Sequence, residues 1–456
     1  MTPDLMPLMV ELFSYRGMTN TADRLLLLGE VLLLQAVESF PDVYGALEVT
    51  IDAAEMAILR STHASPADIR GKIDSVFSRW GLTALSSPVD RVSPQELSRL
   101  LRSVNTLVET LARQTPGLPG LLRLGQAYSE VVDRDHGKLG IRTQPRSINR
   151  LLAEVLAIEE DMTVLDLTPE FGMTLVSLTH HMRDDHRDPN RVKFTYVAQG
   201  EAARITALHL LLNGVTNFES QAVNVLTNPD MIFCSADRVL ATPPAGLRVQ
   251  HAISWPDDDY GMLFSPRKWP RAAEWHYMLV GMSYLKAGGR AAFLTPYGPL
   301  FRMGAEAETR QDIAAAGWLR SVTALPSGLF AYTSVPFALT IFERPSTAKP
   351  AFTDIQFIDV SPLGVREGRQ QTLPAATVDL LAGLINERTE RAQLATIVPR
   401  LDVHANANNW QPNQYFERTV EQGRPLEDIT RDLERAIADV ALAEQRAMTA
   451  LAALPR

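Results

Sequence analysis

The run MTVLDLTPEFGMTL, residues 162–175, decides the fold. Val164 and Leu165 make a short apolar segment that ends in Asp166, a turn containing Pro169 and Gly172 follows, and a helical pattern opens at about Thr174. That is the first strand, turn and helix of a doubly wound α/β domain. Such turns bind nucleotides when glycine lets the backbone approach the ligand and the N–H groups that open the next helix face it. Here Gly172 is the turn's single glycine, so the architecture of a cofactor site is present with altered chemistry.

Outward from this run the chain alternates. Helical patterns at residues 148–158, 174–182, 201–213, 272–285 and 305–316 separate strand patterns at 162–166, 194–199, 223–226 (VNVL), 238–242, 290–296, 319–325 and 337–344. Helices of this length between strands predict a mostly parallel sheet covered on both faces, with the last two strands free to form an antiparallel hairpin. Before it, the chain reads as helical: Thr21 and Asp23 can cap a helix with Leu25, Leu28, Val31 and Leu32 on its apolar face, and periodic runs follow at 68–80, 94–115 and 118–132. The polar stretch 131–147 is the expected boundary. Its Lys138, Arg142 and Arg146 read as a solvated loop or as a lid facing ligand or DNA. After Asp359 the composition turns polar, and from Leu426 a long amphipathic pattern places Ile429, Leu433, Ile437 and Leu451 near one stripe, for which a partner helix is the natural cover. The expected division is a helical domain at 1–135, an α/β domain at 136–360 and a C-terminal segment with its helix at 361–456.

Composition narrows the function classes. With 456 residues, 46% hydrophobic and 21% charged, the chain can bury two or three cores. A net charge of −9 argues against a protein that coats itself in nucleic acid unaided, so DNA contact would use a local basic groove or be shared with partners. The single cysteine, Cys234, excludes an internal disulfide and reads as a buried small residue. The apolar run 25–34 is short and interrupted by Gly29 and Glu30, and no basic leader precedes it, so neither a signal peptide nor a membrane span is expected and the predicted location is the cytoplasm. His180, His181 and His186 lie near Asp184 and Asp185, but adjacent residues point to different helix faces, so a solvated helix end is expected rather than a metal site. In the loop 253–269 a trio of aspartates, 257–259, would repel a phosphate backbone, and a protein-facing surface is as natural there as a DNA-facing one.

The order of these pieces resembles the modification subunit of type I restriction-modification systems, a family of adenine-specific DNA methyltransferases. GIRTQPR (140–146) is similar to that family's G-x-F-Y-T-P-R, VLDLTPEFGMTL (164–175) to its V-x-D-P-A-C-G-S-G-G-F-L, and ATPPAG (241–246) to its A-N-P-P-F-G. The long run LKAGGRAAFLTPYGPLFRMGAEAETRQDI (285–313) resembles L-K-P-G-G-R-A-A-x-V-x-P-x-G-x-L-F-x-x-G-x-E-x-x-I-R, and LPSGLFAYTSVPFALTIFER (325–344) resembles L-P-x-x-L-F-x-x-T-x-I-P-x-x-I-L-x-F. ANANNWQPNQYFE (405–417) stands where the family has N-x-Y-x-L-N-x-x-x-Y-V before its terminal helix. The resemblance implies a class I methyltransferase-like, Rossmann-like sheet, S-adenosylmethionine over the glycine turn, and a flipped adenine held by the asparagine and the aromatic residue of A-N-P-P-F-G.

The departures fall at the ligand-contacting positions. Thr242 replaces the asparagine and Ala245 the stacking aromatic, while Pro243 and Pro244 remain. Losing one base stack is worth on the order of 1–3 kcal/mol, and losing a positioning hydrogen bond lowers a rate by a further factor of roughly 100 or more. At the turn, Glu170 and Phe171 replace the family's first glycine and its serine, and Asp166 and Gly172 keep their places. Thr143, Gln144 and Pro145 replace Tyr-Thr-Pro with the proline kept, and Glu201 is the nearest acid to the ribose-binding position, at a shortened spacing. The resulting expectation is a modification-subunit homologue in a restriction or defence complex. It would bind DNA with a specificity-type subunit and possibly a restriction subunit through its C-terminal helix, with methyl transfer weak or lost. The alternatives are a working adenine methyltransferase with an atypical pocket and a small-molecule methyltransferase, against which the retained partner-facing segments stand.

Overall fold

Val164 and Leu165 are both buried yet point to opposite faces of the sheet, as a strand covered on both sides requires. The computed structural model describes residues 2–15, 18, 20–45, 53–60, 64–83, 87–135, 144–249, 270–330, 333–347, 351–367 and 370–416, with scattered positions beyond 429. Two compact units result, Met1–Tyr415 and Phe416–Arg456. The expected terminal helix, the loop 253–269 and Thr143 lie wholly or almost wholly outside the described residues.

Helices α1 (Met6–Leu12), α2 (Thr21–Ser39), α3 (Pro41–Tyr44), α4 (Ala53–Leu59), α5 (Pro66–Phe77), α6 (Pro94–Gln114) and α7 (Leu118–Asp135) come first. α8 (Arg146–Leu156) then leads into β1 (Thr163–Asp166), α9 (Met173–Asp184), β2 (Lys193–Val197), α10 (Gly200–Leu212), β3 (Phe218–Gln221) and β4 (Ala236–Ala241). There follow α11 (Ala273–Ser283), β5 (Leu285–Pro296), α12 (Gly298–Phe301), α13 (Ala305–Ala316), β6 (Leu319–Ala324), β7 (Phe337–Glu343) and β8 (Asp354–Asp359). A small hairpin of β9 (Val365–Glu367) and β10 (Gln370–Thr372), then α14 (Ala375–Glu387), β11 (Ala395–Pro399) and α15 (Arg400–Ala405), complete the unit.

The main sheet has the order β11-β8-β6-β7-β5-β4-β1-β2-β3. β7 runs antiparallel between β5 and β6, as the hairpin expectation for the last two strands required, and β11 is antiparallel to β8. The remaining pairs are parallel. The chain winds from β1 towards β3 on one side and from β4 towards β5 on the other. The switch point is therefore the crevice above the carboxyl ends of β1 and β4, where open α/β sheets bind ligands. One apolar cluster joins the N-terminal helices to α8, α9, α10 and α14, and a second packs α11 and α13 on the opposite face.

Local chemistry explains the N-terminal helices. Ser65 with Asp68 and Ser93 with Glu96 form reciprocal capping boxes, each followed by proline at the first helical turn. The cap of α2 is Asn20, whose side chain accepts from the Asp23 N–H, instead of Thr21 or Asp23: Thr21 is already helical, and Asn20 has the extended backbone a cap needs. α2 does not close a core with its helical neighbours alone. It lies against α10, and a Cβ at Gly29 would come within 2.7 Å of the Tyr128 hydroxyl and 2.8 Å of Leu208. Between them Arg204 of α10 meets Glu30 of α2 at 3.1 Å and Asp74 of α5 at 2.9 Å, with Arg204 and Glu30 both fully buried. The 1–135 region and the sheet thus share one continuous core.

Two further expectations are corrected. VNVL is not a strand: the Asn224 side chain accepts from the Leu226 N–H and its carbonyl from Thr227 N–H, which makes a turn, and β3 is the more polar segment 218–221. The polar region after Asp359 carries α14, which packs on α8, and β11, which extends the sheet. Cys234, expected to be buried, is half-buried.

Candidate functional site

Asp166 closes β1 and is 1% exposed. One carboxylate oxygen accepts from the Thr168 N–H at 2.9 Å, and the other has no hydrogen-bond partner among the described residues. Burial pushes this carboxyl up to about 7. Asp166 therefore braces the turn from behind.

The turn itself is unusual. Glu170, Phe171 and Gly172 have φ of 43°, 63° and 82°, three left-handed residues in a row, two of which are not glycine. The Gly172 N–H donates to Pro169 O at 2.6 Å, and the Phe171 carbonyl accepts from His209 Nδ1 at 2.6 Å. Because a carbonyl only accepts, Nδ1 carries the proton. Burial lowers the His209 pKa to about 4, so the ring is neutral. A Cβ on Gly172 would sit 3.3 Å from Thr206, so the glycine sets the approach of α10 to the turn. The Phe171 ring is buried in the core; of the two replaced positions, Glu170 alone reaches the cleft.

The carboxyl ends of β1 and β4 are tied together. The Leu167 N–H donates to Leu240 O at 3.1 Å, and the Thr242 N–H donates to Thr168 Oγ1 at 2.6 Å. Gln144 Nε2 donates to Thr242 Oγ1, so the hydroxyl that stands at the family's asparagine position already has a partner. Gln144 is itself buried, with its carbonyl oxygen unpartnered among the described residues.

A cleft of about 400 Å³ opens above these strand ends. Its walls are residues 168–170 of the turn, 197–199 and Ala202 at and after the end of β2, 242–244 after β4, Phe330 from the segment between β6 and β7, and Phe337, which opens β7. The two phenylalanine rings are 4.3 Å apart between centroids. Of the residues singled out from the sequence, Glu170, Thr242, Pro243 and Pro244 share this cleft. Asp166 and Gly172 support it from below. Ala245 packs against the core outside it, and Pro145 caps α8. Glu201 points away: its carboxyl, raised by burial and by the neighbouring Asp23 carboxylate, faces Asp23, which Arg91 meets at 2.9 Å. Spacing missed this because the first turn of α10 turns residue 201 towards α2 and leaves Gln199 as the polar group at the cleft. Gln199, Phe330 and Phe337 were not singled out. The signal for Phe330 lay in the matched LPSGLF segment. His180 bonds Asn213 at 2.9 Å, and His181 lies 3.6 Å from Asp185.

The family model for N-6 DNA methylases matches residues 125–423. The methylase subunit of the type I restriction enzyme MpnII from Mycoplasma pneumoniae is 22% identical over 73% of this chain and 63% of its own length. That of MjaVII from Methanocaldococcus jannaschii is 23% identical over 44% of this chain and 36% of its own. The chain thus spans less than two-thirds of the curated relatives it matches. Among solved structures, the type I methyltransferase subunit from Streptococcus thermophilus superposes with a TM-score of 0.67 at 18% identity, covering 91% of this chain and 98% of that one. A modification subunit of a putative type I restriction enzyme from Vibrio vulnificus gives 0.63 at 18%, covering 88% and 92%. These two share the fold. No helix among the described residues is long and apolar enough to cross a membrane. With more than half of its length inside the family model, the chain belongs to the N-6 DNA methylase family.

Proposed function

We propose that this protein works as a type I modification-subunit homologue that binds DNA and assembles with a specificity-type subunit, with methyl transfer weak or lost. The observation that carries the reading is the state of the cleft. Glu170 stands at the turn, and the Thr242 hydroxyl is already engaged by Gln144.

The family's methyl donor, S-adenosylmethionine, matches the cleft in size but not in partners. Its methionine end carries an ammonium and a sulfonium as well as a carboxylate, and among the described lining residues Glu170 is the one charged group, so the donor's carboxylate meets no cation there. Its ribose hydroxyls would meet the neutral amide of Gln199 instead of an acid. The described residues therefore do not fit the group in the family's manner. The aromatic surface is not wholly gone, because Phe330 and Phe337 line the same cleft. That supports retained contact with a planar base without transfer.

The test is incorporation of a labelled methyl group into adenine-containing DNA, by the chain alone and with a specificity-type subunit. The expected result is no incorporation above background. The double substitution Thr242→Asn with Ala245→Phe is expected to restore none, because the turn at Glu170 is unchanged. Repeated turnover by the unaltered chain, many methyl groups per molecule of protein, would establish a working adenine methyltransferase instead.

A further inference from the structure

Beside the cleft lies a second cavity of about 320 Å³, and one loop forms a wall of both. Pro244 lines the cleft and Gly246 the cavity. Two residues of chain span at most about 7 Å. The cavity carries three exposed arginines, Arg248, Arg271 and Arg302. An antiparallel bridge pairs Arg248 with Ala272, the neighbour of Arg271, with the Val249 N–H donating to Arg271 O at 2.8 Å and the Ala273 N–H to Leu247 O at 2.9 Å. Arg302 arrives from the end of α12.

Glu274 and Glu306, in the first turns of α11 and α13, also line the cavity: Glu306 pairs with Arg302 at 3.6 Å, and one Glu274 oxygen has no hydrogen-bond partner among the described residues. Glu274 accepts from the Gly246 N–H at 3.1 Å, and Glu306 from the Trp275 indole N–H at 2.9 Å. With Arg302 paired to Glu306, three guanidiniums against two carboxylates leave the cavity a local excess of positive charge on a chain whose net charge is −9. Guanidinium forks match phosphate oxygens in pairs.

We propose that this cavity holds a backbone phosphate of a DNA strand whose adjoining nucleotide lies at the cleft. The assignment rests on the DNA-binding reading above and gives it a contact point. It also separates a strand from a free nucleoside, which has no phosphate to fill the second cavity.

The test is fluorescence anisotropy of a labelled oligonucleotide duplex with the full-length chain over a series of salt concentrations. Arg248→Ala, Arg271→Ala and Arg302→Ala together are expected to weaken binding tenfold or more and to reduce the slope of log K against log salt by about 1. The matching triple lysine variant keeps the charge and is expected to recover the slope. Arg113→Ala, a remote and exposed control, is expected to change nothing. A circular-dichroism melt of each variant separates loss of contact from loss of fold. If the triple alanine variant keeps wild-type affinity and slope, the phosphate assignment is wrong and the DNA-binding reading stands. If the wild-type chain binds no duplex even at low salt, both fall. Displacement of the duplex by micromolar inorganic phosphate would make the cavity a small-anion site and overturn the assignment to a strand.

Discussion

Asp166 ends β1 sealed from solvent, with one oxygen committed to the turn and its pKa raised by burial from 3.8 to about 7. The folded protein holds this proton to higher pH than the unfolded chain does. The stability it lends is therefore complete below about pH 4 and is lost as pH rises through 7. An amide at this position keeps the acceptor for Thr168 and has nothing to ionise. Asp166→Asn is thus expected to gain stability over the wild type between pH 4 and pH 8, by on the order of a few kcal/mol at the upper end. Urea unfolding at the two pH values measures it, and a difference that does not change with pH would contradict the burial argument. Six residues on, Gly172 has φ of 82° and Thr206 3.3 Å from where a Cβ would go. Gly172→Ala should cost about 1–3 kcal/mol in thermal unfolding. Both residues were legible in the sequence as parts of a strand, turn and helix. The partners of their neighbours were not: nothing in the order of residues says that the Phe171 ring turns into the core, that Glu201 faces Asp23, or that Gln144 reaches Thr242 across 98 positions of chain.

Among elements, the junction of α2 with α10 has the highest stakes. Arg204 and Glu30 are fully buried at 3.1 Å, Ser87 donates to Glu30 at 2.7 Å, and Arg204 lies over the Phe77 ring. Removing one member of such a pair strands the other charge. Arg204→Met alone is expected to destabilise by about 3–5 kcal/mol, and Arg204→Met with Glu30→Met by less than the single change. A double-mutant cycle in urea reads this, and additive costs would refute the coupling. The helices on either side were readable from periodicity, and the structure adds the serine caps ahead of Pro66 and Pro94. Where reading failed, side-chain chemistry competed with pattern. Asn224 converts the apolar VNVL into a turn, while the polar FESQ becomes an edge strand because pairing with β2 supplies what its composition does not. β8, α14 and β11 were missed for a related reason: they stabilise the far edge of the sheet by contacts between segments distant in sequence.

For the whole molecule, the proposed function sets a kept scaffold against an altered cleft. Sheet order, switch point and the tie between β1 and β4 are intact, and the family model runs through all of them. The changes gather where a cofactor and a base would be touched. A fold kept for holding DNA and partners tolerates such changes, whereas one kept for methyl transfer does not. The most direct measurement is a calorimetric titration of the full-length chain with S-adenosylmethionine. No saturable heat is expected at micromolar ligand, because the described lining of the cleft holds no cation for the donor's carboxylate and Gln199 where the proposal has the ribose. A saturating isotherm in that range would contradict that expectation and return the protein to the working methyltransferases.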